Sequence, residues 1–163
     1  MFKKIRRKSI DKIIEDNLDY LVRFAYYRLG NRIEAEDVVY DAVLTFLDRD
    51  LSALQPESVR SYLFRIVYNI CMDKMRNKDR QKISLESIDI ADSDDDLLDL
   101  EEINRINECL GCLPSREADI IRMNVIEDLS FVEISRILSI PQSTAKSRYK
   151  SGMERLRKLF INK

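Results

Sequence analysis

Ser130 and Glu133 stand three residues apart, just ahead of Ile134, Ile137 and Leu138, which repeat at helical spacing. A Ser/Glu pair so placed satisfies two orphan N–H groups reciprocally, so the spacing predicts a helix beginning there. A short break at Ser139-Ile140 precedes Pro141, which suits the first turn of a second helix, where its missing N–H would be unpaired anyway. That helix would carry Ala145, Tyr149, Met153, Leu156 and Leu159 on one face. Gln142, Ser143, Thr144, Lys146, Ser147 and Lys150 are left mostly outward near its start. Two short helices, a tight turn and a polar, basic first half on the second helix describe a helix-turn-helix reading the DNA major groove. A packed helical hairpin with a solvated basic face would share the pattern, because motif matches carry false positives.

The chain ahead of this motif is also written in helical periods. Leu18, Leu21, Val22, Ala25 and Leu29 give one amphipathic helix, and Gly30 fits its stop. Asn31 with Glu34 predicts the next start. The second helix then shows Ala35, Val38, Val39, Ala42, Val43 and Phe46 as its apolar stripe, with Asp37, Tyr40, Asp41, Leu44, Thr45 and Asp48 outward. A loop around Arg49–Glu57, punctuated by Pro56, leads to a third helix whose stripe reads Val59, Tyr62, Leu63, Ile66, Val67 and Ile70. Its other face gathers Phe64, Arg65, Tyr68, Asn69 and Met72, followed by Lys74, Arg76, Lys78 and Arg80. Rings beside arginines and an asparagine are the parts used to stack unpaired bases and hold a phosphate backbone. A neighbouring helix covering Phe64 and Tyr68 would make the same residues an ordinary core edge.

Charge divides the chain where periodicity does. The whole chain is nearly neutral at −1, yet residues 1–80 carry +3, residues 81–113 carry −8 and residues 114–163 carry +4. From Pro141 onward there are seven Lys/Arg and one acid, the kind of stripe that phosphate binding requires. Residues 81–100 are polar, acidic and poor in helical signals, so a flexible tether is expected; a helix resumes near Leu97 and runs to Cys112, with Leu100, Ile103, Ile106, Asn107 and Leu110 on one side. The expected fold is all-α: a helical domain over 1–80, an acidic flexible linker over 81–112 and a helix-turn-helix domain over 113–163.

Composition narrows the chemistry. The chain has no histidine, so a conventional triad base and a Cys/His zinc site are both excluded. Cys109-Leu110-Gly111-Cys112 has C-x-x-C spacing, but no second pair completes a four-ligand site and no βαβ context supports a thioredoxin-like motif. No catalytic residue, metal or cofactor is expected. No apolar run approaches the ~18 residues of a membrane span, and no signal-peptide core follows the basic start Phe2-Lys3-Lys4-Ile5-Arg6-Arg7-Lys8. That start reads as a frayed, solvated end, and the chain as a cytoplasmic protein that is not an enzyme.

These pieces in this order resemble the extracytoplasmic-function sigma factors of the bacterial sigma-70 family, over essentially the whole chain from about residue 17. Tyr20–Ala25, Gly30-Asn31, Glu34–Val39 and Val59–Val67 look like the family's promoter-melting domain, while Leu113-Pro114 and Leu129–Arg148 look like its helix-turn-helix domain. The resemblance implies a protein that binds core RNA polymerase and directs it to promoter DNA. It implies that Asp37, Tyr40, Asp41 and Leu44 grip the polymerase clamp. It implies that the loop near Arg49–Ser58 and the helix bearing Phe64, Arg65, Tyr68, Asn69 and Arg76 capture the melted −10 strand. It implies that Gln142, Ser143, Thr144, Lys146, Ser147, Arg148 and Lys150 read the duplex −35 element. An acidic linker lying in the polymerase's positively charged RNA path and a cognate anti-sigma factor are implied in the same way.

Several positions depart from the family pattern. Ser139 stands where a turn glycine is usual, and Ser151-Gly152-Met153 replaces further arginines, which should weaken phosphate anchoring. Gly152 should also cost about 1 kcal/mol of helix propensity relative to Ala. Tyr40 and Tyr68 occupy positions where basic or amide residues are common. The main rival is a helix-turn-helix regulator acting on symmetric duplex operators without polymerase, its first body serving for sensing or dimerisation. A helical adaptor without a nucleic-acid role is a third reading.

Overall fold

The computed structural model describes residues 2–50, 53–81 and 94–161, with side chains for 6–50, 53–79 and 100–161. Seven α-helices and one π-helical turn make up the described residues, with no strand among them. The chain divides into two compact units, Met1–Ile90 and Ala91–Lys163.

The first unit is a three-helix assembly of α1 (Phe2–Leu29), α2 (Arg32–Leu47) and α3 (Pro56–Gln81), each packed on the other two. Gly30 closes α1 with φ 69°, and Asn31 caps α2 by accepting from the Glu34 N–H at 3.0 Å. The predicted α2 stripe is buried at Ala35, Val38, Val39, Ala42 and Phe46, whereas Val43 is half-buried. Two expectations need correction. The start of α1 is helical from Phe2, and Ile10 and Ile14 are buried well before the predicted Leu18, which is itself exposed. In α3 the buried set is Val59, Ser61, Leu63, Phe64, Val67 and Cys71, so Phe64 belongs to the core and not to an outer face. The reason is that α3 buries a wider arc against α1 and α2 than a single stripe of spacing encodes, whereas α2, also packed on two helices, buries only its stripe.

The second unit contains α4 (Asp94–Leu110), α5 (Ser115–Ile121), the π-turn Arg122–Ile126, α6 (Phe131–Leu138) and α7 (Gln142–Ile161). Helix α4 lies inside the stretch read as linker, yet Ile103 and Leu110 are buried, and Leu110 joins Leu113, Ala118 and Ile121 in a core that Ile106, Tyr149, Met153 and Leu156 complete. Residues 82–93, which include most of the predicted acidic tether, lie outside the described residues. The α6 capping box is complete: Ser130 Oγ accepts from the Glu133 N–H at 3.2 Å, and Glu133 Oε2 accepts from the Ser130 N–H at 2.9 Å. Pro141 stands one residue before α7, its carbonyl accepting from the Ala145 N–H at 3.1 Å.

Two of the departures from the family pattern acquire structural meaning here. Ser139 ends α6 in the left-handed region (φ 55°, ψ 46°), a conformation that costs an L-residue about 1–2 kcal/mol. Gly152 is buried where α7 crosses α5, and a Cβ there would lie 2.6 Å from Ile121 Cδ1 and 3.2 Å from Glu117 Cβ. Its helix-propensity cost therefore accompanies a close helix–helix approach that no larger residue permits unchanged. Beside it, Ser151 Oγ donates to Glu117 Oε1 at 2.8 Å and Arg155 Nε approaches Glu117 Oε2 at 3.2 Å.

Ser139→Gly should raise stability by about 0.5–1 kcal/mol, the left-handed strain relieved less the backbone entropy of glycine; an unchanged or lower urea midpoint would remove the strain account. Gly152→Ala and Ile121→Val should couple in a double-mutant cycle. Removing Cδ1 should recover about 0.5–2 kcal/mol of the alanine variant's stability, within the range for residues in contact. Additive unfolding free energies would show that α5 and α7 relax apart at no cost.

Candidate nucleic-acid and partner surfaces

The outward face of α2 is a stripe of apolar and acidic residues. Tyr40 (66% exposed) and Leu44 (47%) lie on it, as do Ile33 (63%) and Leu47 (42%). Asp37 and Asp41 are exposed between them, opposite the buried Val38, Val39 and Ala42. Among the described residues neither carboxylate has an ion-pair partner, while the adjacent Arg32 is paired with Glu36 at 3.3 Å. Ile33 and Leu47 were not among the residues singled out from the sequence, although the 33, 40, 44, 47 spacing carries the signal. Large apolar side chains in a row on one exposed helix face mark a surface built for a partner, and the i, i+4, i+7 arrangement suits a helix or helical groove.

Helix α3 brings together only part of the predicted strand-capturing set. Phe64 is withdrawn: it is 2% exposed and meets Phe24 edge-on at 5.1 Å. Tyr68 is half-buried, beneath a guanidinium that sequence reasoning missed. Arg28, 8% exposed, lies 3.6 Å from the Phe24 ring and 5.8 Å from the Tyr68 ring, and donates from Nη1 to the Phe24 carbonyl at 3.0 Å. A cation at the end of α1 also suits the negative end of the helix dipole, but nothing in a single sequence says that it turns inward. Arg65, Asn69 and Arg76 are exposed at i, i+4 and i+11 of α3. Of the cations that follow, Arg76 pairs with Asp73, and Glu34 of α2 takes Lys78 at 2.7 Å and Lys74 at 4.0 Å. Among the described residues Arg65 and Asn69 thus have no ion pair to break, while the side chain of Arg80 lies outside them. In the connection before α3, of which residues 51–52 lie outside the described residues, Arg49 donates to the Tyr62 hydroxyl and sits 5.4 Å from its ring, and Arg6 donates to the Leu54 carbonyl.

The start of α7 presents Gln142, Ser143, Lys146, Ser147 and Lys150 exposed, with Thr144 and Arg148 half-buried and Ala145 in the core. Phe131 of α6 meets Tyr149 edge-on at 5.4 Å and fixes the rotation of α7 about its axis. No acidic residue occupies the first turn, so the positive end of the helix is available to a phosphate. Among the described residues Lys146, Arg148 and Lys150 have no ion pair. Short polar side chains and uncommitted cations over two turns can read base edges and hold the flanking backbone. Among the described residues no group of three or more His, Cys, Asp or Glu could hold a metal ion, and no helix is long and apolar enough to cross a membrane.

Comparison with known proteins assigns the two units separately. Residues 13–81 match the model for sigma-70 region 2, and residues 109–158 match that for sigma-70 region 4. The chain is 29% identical over 171 residues to the ECF RNA polymerase sigma factor SigW of Bacillus subtilis, covering 96% of this chain and 91% of that protein. It is 27% identical to the ECF sigma factor SigE of Mycolicibacterium smegmatis over 91% of this chain and 60% of the relative. Among solved structures, CnrH in complex with the cytosolic domain of CnrY has the same fold at a TM-score of 0.68 and 18% identity, over 96% of this chain and 90% of that one. The sigma factor RpoE of Bartonella quintana, solved with the anti-sigma factor NepR, follows at a TM-score of 0.60 and 22% identity, over 92% and 97% of the two chains. With region 2 falling in the first compact unit and region 4 in the second, the chain belongs to the sigma-70 family as a sigma factor of the extracytoplasmic-function class.

Proposed function

We propose that this sigma factor docks on core RNA polymerase through the α2 stripe, captures the melted −10 strand on α3 and reads the duplex −35 element with the start of α7. The observation that carries the reading is the α2 stripe. Ile33, Tyr40, Leu44 and Leu47 expose apolar surface around two unpaired carboxylates, and a side chain of that size gains ~1.5–3 kcal/mol when fully buried. A dimerising regulator could also use an apolar face, but the matches to sigma-70 regions 2 and 4 favour a polymerase subunit. The protein works by binding, in the cytoplasm with the polymerase, and needs no catalytic group or cofactor of its own. A cognate anti-sigma factor is a further partner we infer, one that competes for the same exposed surfaces.

Strand capture falls on Arg65 and Asn69, with Tyr68 held in place by Arg28 instead of standing free as a stacking platform. A guanidinium and an amide can engage bases only after these leave the duplex, so this face acts at opening and not at first contact. The −35 helix combines Lys146 and Lys150 for phosphates with Gln142, Ser143 and Ser147 for base edges.

The reading is tested by run-off transcription and polymerase pull-down with the full chain. Asp37→Lys with Asp41→Lys should abolish association with core polymerase while leaving helicity unchanged, because both side chains are exposed and away from the core. Retained pull-down would remove α2 from the interface. Lys146→Ala should weaken transcription across −35 sequences alike and flatten the salt slope by about 1 if it holds a phosphate, or relax preference at one position by ~1–3 kcal/mol if it reads a base. Arg65→Ala and Asn69→Ala should reduce permanganate reactivity of promoter thymines on duplex templates, with partial rescue on a pre-melted bubble. Wild-type opening by the double variant would exclude this face from strand capture.

A further inference from the structure

Cys109 and Cys112 have no part in the surfaces described above, yet they are arranged for chemistry. The Cys112 N–H donates to the Cys109 carbonyl at 3.4 Å, an i→i+3 turn at the end of α4. Such a turn holds its outer Cα atoms within about 7 Å, and disulfides span about 4.4–6.8 Å. Gly111 completes it, since a Cβ there would stand 3.0 Å from the Asn107 carbonyl oxygen. Both thiols are free, Cys112 exposed and Cys109 half-buried, whereas Cys71 is buried in the other unit. Both also line a half-open cleft of about 390 Å³ together with Arg105 and Glu108 of α4 and Leu156, Leu159 and Phe160 of α7.

That combination selects a class of chemistry. Among the described residues no third ligand joins the two thiols, so they fall short of a metal site. A solvent-reachable thiol with a second one turn away is the arrangement in which a sulfenic acid is resolved to a disulfide. A mostly apolar cavity of this size admits a small organic molecule. We propose that the Cys109–Cys112 dithiol is an oxidation site for organic hydroperoxides, whose apolar tail lies against Leu156, Leu159 and Phe160. The Cys112 sulfur attacks the hydroperoxide; the O–O bond breaks, the alkoxide takes a proton and leaves as the alcohol, and Cys112 is left as the sulfenic acid. The Cys109 sulfur then attacks the Cys112 sulfur; the S–O bond breaks, water leaves and the S–S bond forms. Two thiols are oxidised as one hydroperoxide is reduced to alcohol and water, and a cellular dithiol of the thioredoxin class reverses the bridge. The bridge closes across the turn that carries Leu110 and Leu113 into the core of the second unit.

The proposal is independent of the promoter reading, and its test needs no polymerase. The full chain is treated with cumene hydroperoxide or with hydrogen peroxide, quenched with an alkylating reagent and mapped by non-reducing peptide mass spectrometry, N-acetylcysteine serving as the reference thiol. An intramolecular Cys109–Cys112 bridge should form, with cumene hydroperoxide favoured about tenfold or more over its preference for the reference thiol, the value of burying its ring. Cys109→Ser should stop at a sulfenic acid on Cys112 that dimedone traps. Leu159→Ala with Phe160→Ala, both exposed positions, should remove most of the preference while the rate with hydrogen peroxide is unchanged. Absence of the bridge, bridging between chains instead of within one, or equal normalised rates with the two oxidants would overturn the assignment.

Discussion

The close approach of α7 to α5 at Gly152 governs the second unit. Helix α7 has to do two things along twenty residues: present polar and basic side chains at its start, and seal the core of its unit farther along. Those tasks are compatible only if its rotation and its distance from α5 are both held. Phe131 against Tyr149 sets the rotation. The missing Cβ of Gly152 lets α7 sit down on Ile121 and the Glu117 stem, where Ser151 and Arg155 then reach the Glu117 carboxylate. What reads in sequence as a loss of cations is the seat on which the remaining cations are aimed.

The same economy governs charge in the first unit. Glu34 donates its N–H to the Asn31 cap, while its carboxylate draws Lys74 and Lys78 of α3 toward it, so these lysines tie two helices together. Arg76 is engaged by Asp73 one turn away. Such pairs add little stability when exposed, but they settle which charges are committed. Among the described residues Asp37 and Asp41 on α2 and Arg65 on α3 are in no ion pair, acids on one helix and a cation on another. Neighbouring helices of one small unit thus present surfaces of opposite character, apolar and acidic on α2 and cationic at Arg65 on α3.

Where the buried arc of a helix is narrow, spacing makes its pattern legible. The α2 stripe and the Ser130/Glu133 cap follow from spacing and from local hydrogen bonds that a reader can count. Spacing misplaces α3 by part of a turn because its buried arc runs from Val59 through Leu63 and Val67 to Cys71 and Phe64, too wide to separate into one inner and one outer face. That is why Phe64, grouped with Arg65 and Asn69 by spacing, belongs with Phe24 in the core. The helix over Asp94–Leu110 was blurred by its acidic first turn, which suits a helix start as well as it suits a tether.

By itself, then, the sequence determined an all-helical fold, two mildly basic bodies joined by an acidic stretch and a helix-turn-helix, because periodicity, caps and charge are local properties. Only the tertiary structure decided which residues of those helices are available. It turned Arg28 inward onto Phe24 and Tyr68, withdrew Phe64, joined Ile33 and Leu47 to the α2 face and showed Gly152 to be a contact. The physical reason is that exposure depends on what a neighbouring helix covers, and that neighbour is chosen by packing between residues far apart in the chain.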